Sequence, residues 1–176
     1  KLPPEDLRKA IEVKIRENKG FIVVDEVTTG IGRTGKWFGY EYYNISPDIV
    51  SCGKGIGNGY PVSVIAMSKQ MADLAEGSDF KYGQSHQNDP LGCAVVKEVI
   101  SIIKQKDYIK RASEIGLFLE NELNMLREKY TYIKEVRGRG LMFVIEFSST
   151  DDFPLEKIHK ELFDAGYITG LRTPAN

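Results

Sequence analysis

The chain has 176 residues, 41% hydrophobic and 28% charged, enough apolar material for one packed domain or for a domain and part of another. Its 24 basic and 25 acidic residues nearly cancel to a net charge of -1, which leaves no footprint for nucleic acid or an acidic membrane surface. No apolar run reaches membrane-spanning length and no signal peptide is visible. The cysteines, Cys52 and Cys93, form no CxxC pair and read as thiols of a cytoplasmic protein. With only His86 and His159 beside them, a metal site has little to draw on.

In chain order, "PPEDLRKAIEVKIRENKG" reads as a helix, with acids in its first turn, a stripe of Leu7, Ala10, Ile11 and Ile15, and Gly20 to end it. "FIVVDE", residues 21–26, reads as a strand buried on both faces. "PDIVSCG" and "VSVIAMS" read as two more short strands. "NDPLGCAVVKEVISIIKQ" reads as a helix capped by Asp89 with Pro90 at its first position. A further amphipathic helix follows Asp107 and runs to about Lys129. "RGRGLMFVIEF" reads as a glycine-marked turn and a strand, "PLEKIHKELFDAG" as a helix ending at Gly166, and "YITGLRT" as a strand.

The expected fold class is α/β. Residues 1–105 alternate strand, glycine-rich loop and helix, as in an open, mostly parallel sheet, whereas residues 106–176 read as a smaller α+β unit. The start at Lys1 and the end at Asn176, directly after a strand-like stretch, read as a piece of a longer protein.

Lys54 stands in "VSCGKGIGNGYP", among four glycines. It does not fit a phosphate-binding lysine: GxxxxGK followed by Ser or Thr fails at Asp48 and at Gly55, and GxGxxG fails at Asn58 and at Tyr60. "FIVVDE" does look like the strand and acid of a nucleotide hydrolase, so that class stays open. A different chemistry follows from Asp25 and Lys54 together. Parallel strands deliver their last residues to one sheet edge, where ligands bind. A neutral lysine amine there can form a Schiff base, and a carboxylate nearby can pair with a protonated pyridine nitrogen. Glycines on both sides of Lys54 would let the backbone approach a flat cofactor.

The longer strings carry a resemblance. "VVDEVTTGIGRTGKWFGYEYYNISPDIVSCGKGIGNGYPVSVI" closely resembles the class III (omega) aminotransferases, of the fold type I pyridoxal phosphate family. A strand ending in Asp-Glu-Val, a TGxGRTG loop, and a Pro-Asp-Ile-Val strand leading to a lysine in a glycine-rich turn occur in the family's order. "SHQNDPLGCA" and "VRGRGLMFVIEF" match later family segments, so the likeness covers nearly the whole chain.

That resemblance implies part of a large cofactor-binding domain over 1–105, and an interdomain helix with part of a small C-terminal domain over 106–176. It implies pyridoxal 5'-phosphate as cofactor and transfer of an amino group from an amino acid or ω-amine to a 2-oxo acid. The protein would be a homodimer with shared sites. Lys54 would be the Schiff-base lysine and proton carrier, Asp25 the partner of the pyridine nitrogen, and Val27 the residue under the ring. Thr28 stands where many relatives have Gln near the ring hydroxyl. Ser85 stands where the family has a Thr that reaches the phosphate of the neighbouring subunit, although "GQSHQNDP" departs from the commoner "GSTFGGNP". Arg33 is expected to be structural or at an interface, with Glu26 and Glu41 as candidate partners, Glu26 to be structural, and the aromatic run from Trp37 to Tyr43 to be packing. A same-fold mutase or decarboxylase is the alternative within the resemblance. A piece lacking the family's phosphate cup is expected to bind cofactor weakly and turn over slowly or not at all.

Overall fold

The structure, a computed structural model, describes residues 4–148 and 155–171. Its first sheet has three strands, β1 (Val23–Asp25), β2 (Ile49–Cys52) and β3 (Val64–Met67), in that order across the sheet. β1 and β2 are parallel, as expected, but β2 and β3 are antiparallel. The reason is connection length: eleven residues, 53–63, separate β2 from β3, too few for a helical crossover between parallel strands.

α1 (Glu5–Glu17) leads into β1. Its end differs from the expectation: Lys19 takes the left-handed turn (φ 56°), and Gly20 follows, donating its N–H to the Ile15 carbonyl at 2.8 Å. Asp48, before β2, anchors this corner by accepting from Arg16 Nη1 and the Ile22 N–H, both at 2.7 Å. Burial works against the Asp48 carboxylate, yet the Ile22 N–H and the Arg16 guanidinium outweigh it and hold the group below its ordinary value.

The core lies around β2, where Val50, Cys52 and Ile56 are buried and Phe38, Val62 and Val96 pack against them. β1 is not buried on both faces: Val23 is 64% exposed, at the open edge of the sheet. A short helix absent from the sequence reading, α2 (Lys69–Glu76), follows β3 and is capped by Ser68, whose Oγ accepts from the Met71 N–H. α3 (Pro90–Gln105) starts where expected, with Asp89 accepting the Leu91 and Gly92 N–H groups.

α4 (Tyr108–Lys129) follows and packs on a second, two-stranded antiparallel sheet, β4 (Ile133–Arg139) and β5 (Met142–Phe147). β4 is a correction, since only a turn and one strand are legible there. Charged residues at 134, 135, 137 and 139 mask it in the sequence, and pairing to the apolar β5 makes it a strand. α5 (Leu155–Asp164) ends before Gly166. The expected strand at "YITGLRT" is absent from 167–171, and its last two residues lie outside the described residues. No described helix is long and apolar enough to cross a membrane.

Candidate active site

Asp25 lies opposite Ser51 in the β1–β2 register. The strands stay together for one more bond, the Glu26 N–H to the Ser51 carbonyl at 2.9 Å, and then both open into loops at the same edge. Residues 25–28 and 53–54 are thereby brought side by side. Gly53 permits the contact: a Cβ there would stand 3.3 Å from Val27 Cγ1. The next residue, Lys54, turns back with φ 46° and donates from Nζ to Thr28 Oγ1 at 2.8 Å. Asp25 Oδ1 accepts the Val27 N–H at 3.0 Å, which fixes the carboxylate at the strand end. Asp25, Thr28 and Lys54 are exposed and Val27 is half-buried.

Glu26 fixes this corner from behind. It is 2% exposed, the largest fully buried side chain described. One carboxylate oxygen accepts from Thr29 Oγ1 at 2.6 Å and the Gly39 N–H at 2.9 Å, and the other from the Tyr40 N–H at 2.8 Å. Hydrogen bonds to the charged form make such burial tolerable without a cation. The structural role expected of Glu26 is therefore seen, but the expected Arg33 partnership is not. Arg33 is exposed, and its carbonyl accepts the Leu141 N–H at 2.9 Å from the β4–β5 turn. Glu41 is turned to its own segment, accepting the Phe38 N–H at 3.1 Å. Sequence proximity suggests the acids as partners for Arg33 but gives no sign that donors of the 29–40 segment would engage them instead. The aromatic run packs as expected: Phe38 stacks on Tyr40 at 5.5 Å, and Tyr42 Oη donates to the Thr34 carbonyl at 2.7 Å.

A cleft of about 490 Å³ opens beside this corner, with Val27, Thr28, Arg33 and Lys54 on one wall and Ile109 and Leu141 on the other. Ser85 does not line it; it lies in an exposed turn over 85–88. Of the expected site residues, then, Val27, Thr28 and Lys54 line the cleft, Asp25 stands at the strand end beside Val27 without lining it, and Ser85 stands apart. Among the described residues no group of His, Cys, Asp and Glu could hold a metal ion.

The family model for class III aminotransferases matches residues 2–173. The chain belongs to the class III aminotransferases. It is 36% identical over 160 residues to the acetylornithine aminotransferase of Bacillus subtilis, covering 90% of this chain and 40% of that protein. It is 32% identical over 174 residues to the alanine/serine racemase of Pyrococcus horikoshii, covering 99% of this chain and 36% of that one. Among solved class III structures, the taurine:2-oxoglutarate aminotransferase of Bifidobacterium kashiwanohense, in complex with PLP and glutamate, superposes with a TM-score of 0.88 at 25% identity, covering 97% of this chain and 41% of that one. The chain thus spans about two fifths of these class III relatives. Membership displaces the nucleotide-hydrolase reading of "FIVVDE", whose Glu26 is already saturated by three donors.

Proposed function

We propose that this chain is the lysine-bearing part of a pyridoxal-phosphate-dependent aminotransferase that moves an amino group from an amino acid or ω-amine to a 2-oxo acid. The observation that carries this is Lys54 Nζ held by a neutral hydroxyl just past the end of β2, at the edge where Asp25 ends the parallel strand β1. The residues fit the cofactor. An exposed lysine amine paired with Thr28 rather than a carboxylate keeps its amine available, and Asp25 has Oδ1 fixed by the Val27 N–H at the strand end. When bound, pyridoxal phosphate supplies a carbonyl to which amines add and an electron sink.

Lys54 would be the covalent attachment point, and its Nζ would hold and move the proton at the substrate Cα. Asp25 would accept from the pyridine nitrogen and favour its protonated form. Val27 would pack against the ring, and Thr28, which accepts from Lys54 Nζ, would orient that amine and stand near the ring hydroxyl. Ser85 would serve the phosphate of a partner subunit, which would make the active form a homodimer with shared sites. The domain division falls near residue 105, between α3 and α4. Free Cys52 and Cys93 suit a cytoplasmic enzyme.

The test is borohydride reduction of the cofactor-loaded protein followed by peptide mapping. The reduced cofactor is expected on Lys54, and Lys54→Ala is expected to lose it and to slow amino transfer by about 10²-fold or more. Cofactor fixed on another lysine would end this reading. Similarity to a racemase along 99% of the chain supports a second reading with the same residues, racemisation of an amino acid. Retention of the amino group with loss of optical activity would select it.

A further inference from the structure

The loop that carries Lys54 is built from backbone conformations that ordinary residues avoid. Lys54 has φ 46°, Asn58 φ 44° and Gly59 φ 102°. Such a loop keeps its shape only if its surroundings hold it. From within, the Gly57 and Asn58 N–H groups both reach the Lys54 carbonyl, at 3.0 and 3.2 Å, and Ile56 is buried. From outside, Val27 and Thr28 hold the start of the loop, and Tyr60 holds its far end. Its Oη donates to Asp89 Oδ2 at 3.0 Å.

Asp89 is also the N-cap of α3. Oδ1 accepts the Leu91 N–H and Oδ2 the Gly92 N–H, each at 3.3 Å. The Tyr60 ring lies beside Gly92, where a Cβ would be 3.6 Å from Cε1. One carboxylate therefore serves two elements. The Tyr60 hydrogen bond and the α3 N–H groups hold its pKa below the ordinary value even at the surface, so it stays an acceptor at neutral pH. The turn with Ser85 ends at this same residue, through the Asp89 N–H to the His86 carbonyl at 3.3 Å. Asparagine at position 89 could still accept from Tyr60 and Gly92 through one oxygen, but its amide nitrogen would then face the Leu91 N–H, so only the carboxylate accepts all three donors.

We infer that the Tyr60–Asp89 hydrogen bond is a latch that positions Lys54: it seats the 53–60 loop on the N-terminus of α3 and ties it to the turn that carries Ser85. Tyr60 and Asp89 are positioning residues that act through Lys54. The inference concerns the same site as the proposed function but not the cofactor, so it can be tested without it.

The experiment uses the complete gene product, free of cofactor, as wild type, Tyr60→Phe and Asp89→Ser. Phe keeps the ring on Gly92; Ser keeps a capping oxygen for α3 but is too short for Tyr60. Lysines are acylated with a limiting amine-selective reagent, and Lys54 labelling is read against Lys69, which lies on exposed α2. Thermal unfolding is followed in parallel. In both variants the Lys54-to-Lys69 ratio is expected to rise about two- to tenfold, the range for one hydrogen bond of ordinary net strength, while melting stays cooperative. An unchanged ratio in either folded variant overturns the latch. Unfolding of both overturns it too, because the bond would then hold the fold and not the loop. Absence of cofactor attachment at Lys54 with a changed ratio would instead sink the proposed function and leave the latch standing.

Discussion

Two regions of this molecule are each organised around a glutamate, and they use it in opposite ways. Glu26, behind the site, is buried and meets no cation; its partners are two backbone N–H groups and a hydroxyl. Glu146, on β5, lies at the surface between Lys134 at 2.7 Å and Arg137 at 2.6 Å. The hydrogen bonds from Lys134 and Arg137 pull its carboxyl from 4.5 down to about 2. Backbone donors point in fixed directions, so the buried carboxylate dictates the path of the chain from 26 to 40. Flexible cations can follow a carboxylate, so the surface one adds charge pairing without dictating a path. The charge-rich cluster adds pairing at the surface, yet the carboxylate held by uncharged donors shapes the site.

The largest expected effect tests that contrast directly. Glu26→Ala leaves the Gly39 and Tyr40 N–H groups buried without acceptors, at a cost of about 2–6 kcal/mol in chemical denaturation. A loss below about 1 kcal/mol would show that the segment is held by something else. Next comes the place where the two regions meet. Gly140, in the β4–β5 turn with φ 55°, lies on the Thr34–Gly35 peptide, where a Cβ would overlap the Thr34 carbonyl carbon. Gly140→Ala should cost about 1–3 kcal/mol, whereas Gly83→Ala, with open space around it, should stay within about 0.5 kcal/mol. The smallest effect is that of Glu146. Its folded pKa is depressed, so its contribution is complete above 4.5 and is lost as pH falls from there through about 2. Glu146→Gln should therefore flatten the acid limb of a melting-temperature profile over that window, its small loss of stability being full at pH 7 and gone near pH 2.

Legibility followed the same physical divide. The three strands of the first sheet stand out because Val24, Val50 and their neighbours form short apolar runs between glycines and prolines. The reversed direction of β3 is not in those runs; it comes from the short connection before it. β4 escapes notice because its alternation is diluted by charge, including the cations that hold Glu146. At the site, Asp25 and Lys54 are legible through the order of the surrounding strings, and the structure sets them at the ends of the paired strands β1 and β2. The Thr28–Lys54 bond and the Tyr60–Asp89 bond were not legible, because spacing alone cannot tell which of several hydroxyls and acids a loop will bring together. The same limit produced the mistaken Arg33–Glu26 pair.

The left-handed backbone at Lys54 has an evolutionary consequence. At φ 46° glycine or asparagine would sit with less strain, so this position sets durability against chemistry. A population of variants screened for heat resistance alone would drift away from lysine at 54, and one screened for the proposed amino transfer would be held to it.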